Sequence, residues 1–400
     1  MTPVAGGRAR ALRAGRARAV VIACAAAMFF VQAVVFAGMG LMLYAIAGAR
    51  GWSGATAGAG FTVVIAGACL GATLAVAATR HLGAARTIPL GLALTGIGVA
   101  LPAVSSGMQA FWAGTCLAGI GFSFAAQTPG VYLIAGWLEA RADRTIGLYL
   151  MVGMLGNAVG PPLAQALIGA IGWRGYALAV LGAGLTLALA TGAALREPPR
   201  GPAPEHHPAI ATVLRTRTFA VLAAAVVVSQ LCLNTVFSVS PPHLAAHGID
   251  PAGAARFLGV AGIAATAITG ASGFLTGLVP ARRMLLAALL ACGGGMVLLA
   301  AAEALPLAAV LLGGGVGAAT LAVTLEMVAV FGREGGAAGN GAVWTLAGLA
   351  AFGPVLGGVS ADGLGSFAPA LVGLGLLVVP VAVGCLWLPK GQKPKLIPGV

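Results

Sequence analysis

Apolar stretches of about 20 residues or more recur from one end of the chain to the other, separated by short polar gaps. A helix of that length matches the hydrocarbon thickness of a bilayer. In lipid every backbone N–H and C=O must be satisfied inside the segment, so such stretches become helices. Twelve spans are predicted, at 19–47, 54–78, 87–105, 109–137, 144–170, 173–195, 217–242, 252–277, 281–301, 305–332, 337–360 and 364–388. Only 8% of the residues are charged, against roughly 25% in soluble domains. The expected fold class is therefore all-α integral membrane, with twelve transmembrane helices.

The few cations are placed unevenly. Of the 22 Lys and Arg, 19 fall in the N-terminal tail and in alternate gaps, leaving Arg50, Arg174 and Arg256 in the others. The tail alone holds Arg8, Arg10, Arg13, Arg16 and Arg18. This positive-inside bias predicts an even number of crossings with both termini in the cytoplasm, in a cell inner (plasma) membrane. The net charge of +13 then reads as topology signal beside anionic lipid, not as a nucleic-acid surface. The bilayer is the expected partner, nucleic acid is not, and the chain is expected to be a monomer. The basic tail and first span resemble a secretory leader, but the apolar run exceeds the usual 7–15 or so residues and eleven more follow. It reads as a retained first helix.

Six cysteines stand apart inside apolar spans, with no metal or redox spacing. They read as small hydrophobes. The 63 glycines suit lipid, where small residues let helix backbones approach closely. Trp52, Trp112, Trp137, Trp173 and Trp387 lie near predicted span ends, as an interfacial belt requires; Trp344 does not.

The polar, Pro-rich stretch after Leu195 divides the chain. The resulting plan is a basic tail (1–18), a six-helix half (19–195), a linker (196–216), a second six-helix half (217–388) and a tail (389–400). The halves echo each other. Gly51, Ser53, Ala55 and Ala57 recur 197 positions later as Gly248, Asp250, Ala252 and Ala254. Arg86 recurs as Arg283 at the same offset, and Gly160-Pro161 as Gly353-Pro354 at 193. Ser53 and Asp250 each suit the N-cap of the next helix. Duplicated halves are usual in secondary transporters, with the site at the midplane between them.

With these features the chain resembles the major facilitator superfamily over essentially its full length. GWLEARADRTIGLYLMVGMLGNAVGPPLAQALIGAIGWR (136–174), and FGREGGAAGNG and GPVLGGVSADGLGS within 331–366, are similar to bacterial relatives of monocarboxylate and oxalate–formate carriers. Gly147, Gly156, Gly160 and Pro161 stand at the spacing of the glycine-proline motif of the superfamily's antiporters, although Ala164 and Gln165 replace its last two glycines. Glycines open a groove for a facing helix and proline removes one helical hydrogen bond. This motif implies a pivot for rocking; the bland alternative is close packing alone. The family's cytoplasmic loop after the second span carries Asp-Arg, glycine and basic residues. Here Gly83 and Arg86 fit, but Arg80 and His81 replace the Asp-Arg pair. The second half keeps Gly273, Arg282 and Arg283 without an acid.

Ionisable groups deep in a span are costly and are functional candidates. Glu326 is the principal one, in the cytoplasmic half of the tenth span. It reads either as a proton-coupling site, whose protonation follows the hydration of a cavity, or as an interfacial carboxylate reaching water. Among uncharged groups, Gln32 and Gln230 are 198 apart, as are Phe36 and Asn234. Gln230 and Asn234 share one helix face. Gln127, Asn157, Gln165, Asn340 and Trp344 complete the set. Amides in lipid must find partners, so they face the bundle or a cavity. The superfamily lines its cavity with helices 1, 4, 7 and 10. That favours Gln32, Gln127, Gln230, Asn234 and Glu326; the substrate-binding expectations are Gln32, Phe36, Gln127, Gln230, Asn234, Asn340 and Trp344, with an interhelical hydrogen bond as the alternative for each amide.

No Lys or Arg lies mid-span, although carriers of small carboxylates usually hold the anion with an embedded cation. The residues therefore favour neutral, amphipathic or cationic solutes, exported by proton-coupled antiport. The resemblance favours the alternative, uptake or exchange of organic carboxylates. A non-transporting sensor or scaffold is the rival from another class. No phosphate-cradling motif, nucleophile or acid–base pair is found, so an enzyme is not expected, and neither is a cofactor or metal; the proton gradient is the expected energy source. A reporter fused after Val400 is expected in the cytoplasm, and activity outside the cell contradicts the topology.

Overall fold

The computed structural model describes residues 3–138, 142–198, 213–275 and 279–388; within these, the side chains of 3–14, 127, 142–144, 272–275, 332–338 and 341 lie outside the described set. The tail 389–400 and most of the linker 196–216 therefore fall outside it, as do the arginines ahead of Gly15 and the side chain of Gln127. Among the described residues eleven helices are long and apolar enough to cross a membrane. They are α1 (Gly15–Arg50), α2 (Gly54–Leu82), α3 (Ala84–Val104), α4 (Met108–Leu138), α5 (Thr145–Ala194), α6 (Arg217–Ala246), α7 (Pro251–Ala271), α8 (Ala281–Ala300), α9 (Leu305–Phe331), α10 (Ala342–Leu364) and α11 (Ala368–Cys385).

Two features depart from the expected spans. The fifth and sixth expected spans fall on one 50-residue run, α5. That run is broken at Gly172, whose φ of 72° and ψ of 167° are not helical. Positive φ costs an L side chain, so glycine sits at the break. The helix carrying α9 continues from Leu305 to Leu346, without the gap expected between 332 and 337. Helix starts follow capping chemistry. Ser53 Oγ accepts from Thr56 N–H at 3.2 Å and Thr216 Oγ1 accepts from Phe219 N–H at 3.1 Å.

The chain forms two compact units, one of Met1–Pro204 with Pro251–Gly259 and one of Glu205–Asp250 with Val260–Val400. In the first unit α4 packs on α2 and α3, and α5 packs on α1 and α3. Its core gathers Cys24, Ile88, Leu92, Leu133, Ile134 and Tyr149. The α3–α4 crossing depends on glycine. A Cβ on Gly98 would stand 2.6 Å from the Gly114 carbonyl oxygen, and one on Gly114 equally close to that of Gly98.

In the second unit α8 packs on α9 and α11, and α6 on α9, α10 and α11. Gly295, 197 positions after Gly98, plays the same part at the α8–α9 crossing. A Cβ there would lie 3.0 Å from Leu312 N and 3.1 Å from Ala308 O. The sequence repeat is thus also a repeat of contacts. Cys24, Cys232, Cys292 and Cys385 are buried and all six cysteines are free. Large apolar side chains such as Ile22, Leu189 and Trp387 face outward, as lipid permits.

Gly98→Val is expected to force α3 from α4 and to destabilise the solubilised protein by about 1–3 kcal/mol, the usual range for overpacking. Gly373→Val, where nothing lies within 4 Å of a Cβ, is expected to leave the melting temperature almost unchanged. Equal melting of the two variants contradicts the contact assignment.

Candidate functional site

The middle of each unit is organised by one helix laid against another through a Gly-Pro pair. In the first unit Gly156 and Gly160 of α5 face α1. A Cβ on Gly156 would stand 2.6 Å from Phe29 O, and one on Gly160 would meet Ala33 O and lie 2.9 Å from Ala37 Cβ. In the second unit Gly353 of α10 faces α6, where its Cβ would lie 2.9 Å from Leu231 O. Leu231 follows Ala33 by 198 positions, so the Gly-Pro pairs touch corresponding carbonyls. Gly147, the first glycine of the motif, has nothing within 4 Å of its Cβ position and takes no part in this contact. Pro161 is buried beside Gly160.

The α1 backbone changes where α5 presses on it. Residues Gln32–Gly38 form a π-helix, a local widening that recurs at functional sites. Gln32 and Phe36 both belong to this segment. Gln32 is half-buried against α5, with its Cβ 3.1 Å from the Gly156 Cβ position. The Phe36 ring meets Phe122 of α4 edge-on, centroids 4.7 Å apart. One turn further along α4, Ala126 leaves the helical region (φ −89°, ψ −136°), and Tyr149 Oη donates to its carbonyl at 2.9 Å. Gln127 follows directly. Neither the π segment nor the Ala126 break carries a sequence marker.

The amides differ in how far they are partnered. Asn234 of α6 is 3% exposed and its Oδ1 has no hydrogen-bond partner among the described residues. Gln230, one turn earlier, is half-buried. Asn340 lies with its Oδ1 3.4 Å from Thr324 Oγ1 of α9, whereas Trp344 is 36% exposed. In the first unit Asn157 Oδ1 is likewise buried and unpartnered. Unmatched buried acceptors are costly.

Glu326 is buried, 6% exposed, and accepts from the backbone N–H of Arg282 at the start of α8. The Arg282 guanidinium in turn donates to Leu388 O at 3.1 Å and to Leu386 O, beyond the end of α11. A carboxylate on a helix N-terminus and a guanidinium on a C-terminus each complement the helix dipole. The first unit repeats the device with another acid. Glu197, following α5, accepts from Ala85 N–H at 2.7 Å, and Ala85 precedes Arg282 by 197. Gly83 introduces that helix at φ 86°, and a Cβ on it would stand 2.5 Å from Glu197 Oε1. Arg86 and Arg283 are exposed. Acids from outside the loops thus latch both helix starts, in place of the missing loop aspartates.

His243 is buried in α6 with Nε2 2.8 Å from Leu299 O, and its ring lies 4.6 Å from that of His247. Among the described residues no group of three His, Cys, Asp or Glu stands ready to hold a metal.

Residues 21–352 match the profile of the Major Facilitator Superfamily. No curated protein matches the chain. Among solved structures, an inward-facing, occupied bacterial homologue of the human lysosomal transporter Spinster is similar, with a TM-score of 0.71 at 17% identity over 96% of this chain and 99% of that one. A POT family transporter in complex with a thioalcohol-conjugated peptide has a TM-score of 0.74 at 14% identity, over 92% and 95% of the two chains. A point mutant of the nucleoside transporter NupG has a TM-score of 0.74 at 12% identity, over 92% and 99%. At these identities the likeness is one of fold.

Gly83→Ala is expected to destabilise the protein by about 1–2 kcal/mol from the positive φ alone, since Glu197 cannot approach a methyl group so closely. Glu197→Ala is expected to lose a cap, about 0.5–2 kcal/mol, and Glu197→Gln to keep most of it. Melting of the three variants in detergent checks both; an unchanged Glu197→Ala contradicts the latch.

Proposed function

The chain belongs to the major facilitator superfamily, and we propose that it is a secondary transporter exporting a small neutral, amphipathic or cationic solute by proton-coupled antiport. Counting α5 as two spans about Gly172 gives twelve, with both termini cytoplasmic in the inner membrane. Alternating access moves the two halves about a midplane site, and the proton gradient drives it. The sites are Gln32 and Phe36 on the π segment, Gln127 after the Ala126 break, Gln230 and Asn234 on α6, and Asn340 with Trp344. Gly156 and Gly160-Pro161 serve as the pivot against α1.

This reading rests on the buried Asn234 Oδ1, which has no hydrogen-bond partner among the described residues and lies on the face shared with Gln230. It supports a solute held by hydrogen bonds, with no cation in midspan to hold an anion. Glu326 is the coupling residue. Its charged form favours the α8 N-terminus, and its protonated form no longer supports the helix dipole in the same way. Proton binding is thereby tied to the helix end that Arg282 joins to α11. The finer resemblance of 136–174 and 331–366 to monocarboxylate and oxalate–formate carriers supports a second reading, uptake or exchange of organic carboxylates.

A melting-temperature panel at two pH values separates the readings, because a solute that binds only the folded state raises the melting point. Cationic or amphipathic solutes are expected to stabilise, less so at low pH where protons compete. Stabilisation by carboxylates alone replaces antiport export with the second reading. In proteoliposomes Glu326→Gln, which keeps an acceptor for Arg282, is expected to fold and to lose proton-driven flux. Intact proton-driven flux removes Glu326 from the coupling step.

A further inference from the structure

Arg50 closes α1 and reaches across to the end of α3. Its Nη2 donates to Pro102 O at 2.6 Å and to Ser105 O at 2.9 Å. This use accounts for one nitrogen only. Nη1 is buried and has no acceptor among the described residues. The guanidinium stands 4.9 Å from the Trp52 ring centroid and 5.5 Å from that of Trp173. A second guanidinium, Arg174, lies 4.4 Å from the same Trp173 ring. Two cations thus converge on one indole, where the ring faces attract them while they repel each other.

Among the described residues of the first unit no Asp or Glu is paired with them. Its sequence holds no Asp or Glu from Met1 to Leu138, nor from Arg144 to Arg196. Glu139 and Asp143 come in the chain after Leu138, the terminus of α4 remote from Ser105. Glu197 is bound at Ala85, the other end of α3, roughly 30 Å away at about 1.5 Å per residue. Arg50 and Arg174 are also two of the three cations that the charge bias assigns to the outer face.

We propose that Arg50 and Arg174, walled by Trp52 and Trp173, form an oxyanion-binding site at this end of the first unit. A phosphodiester or carboxylate takes charge-assisted hydrogen bonds from the free Nη1 of Arg50 and from the exposed Arg174. The indoles supply apolar walls for the rest of the ligand. Tryptophans mark headgroup level in a bilayer, so the anion comes from an outer-leaflet lipid phosphodiester or from a free carboxylate solute. The lipid source alone rests on the topology proposed above; the site itself does not.

The test is melting of the full chain in a neutral detergent at constant ionic strength. One arm titrates short-chain phosphatidylglycerol against short-chain phosphatidylcholine, and the other titrates benzoate. Arg174→Gln is the main variant, because Arg174 holds no carbonyl among the described residues, whereas Arg50→Lys keeps a donor for Pro102 and Ser105. Stabilisation is expected to saturate, with the half-saturating concentration raised about tenfold or more in Arg174→Gln. A response to phosphatidylglycerol but not benzoate assigns the site to lipid; a response to benzoate assigns it to a free carboxylate. A carboxylate effect that survives Arg174→Gln belongs to the central site instead. No anion response, or equal half-saturation in parent and Arg174→Gln, overturns the proposal.

Discussion

The structure depends on how closely two helix backbones can approach where no hydrophobic drive holds them together. In lipid, association comes from packing, and packing comes from small residues. Gly98 against Gly114, and Gly156 and Gly160 against α1, bring main chain onto main chain at distances that no side chain permits. Gly295 against Leu312 and Gly353 against Leu231 repeat the arrangement in the second unit. An ancestral duplication accounts for this economically, because the glycine and its target recur together. The Gly-Pro pairs are then a pair of equivalent joints. On α1 the joint coincides with a π-helical stretch, so the residue most exposed to the joint's geometry, Gln32, also begins the segment that departs from α-helix.

Much of this was legible in the residues because lipid reduces the alternatives. Runs of about 20 apolar residues have one outcome, and the observed helix starts at Gly54, Arg217, Ala281 and Leu305 agree with the expected ones within a residue. The superfamily's loop pattern marks Gly83, Arg86 and Arg282, and the 197-residue offset pairs Arg86 with Arg283. What was not legible is what depends on distance in the chain. Glu197 reads as a linker acid, and its target, Ala85, lies 112 positions away. Glu326 and Arg282 stand out separately, one as a buried carboxylate and one as a loop arginine, and nothing in their spacing joins them. The π segment Gln32–Gly38 and the break at Ala126 arise from packing against neighbours, and a run such as QAVVFAG carries no local mark of it. Gly147 shows the converse, since its spacing fits a motif and its surroundings are empty.

The polar residues divide by their state of satisfaction. The helix-end groups Arg50, Glu197, Arg282 and Glu326 serve the termini, where four donors or acceptors per end need partners. Asn157 and Asn234 keep an acceptor without a partner among the described residues, as the proposed solute site requires. A transporter needs both kinds: fixed ends that keep each half rigid, and unsatisfied groups in the interior whose partner arrives with the solute. The superfamily fold supplies the frame, while the solute's identity rests on a few amides and on the lack of a midspan cation.

Alternating access requires the two halves to rock, and paired spin-label distances report that motion. Leu82 and Val279 correspond at the offset of 197, as do Ser106 and Glu303, and all four are exposed. In the proposed topology the first pair stands at the cytoplasmic face and the second at the outer face. On adding a transported solute the two distances are predicted to change in opposite directions, one shortening as the other lengthens. Two distances that stay fixed, or that shift together, contradict the account.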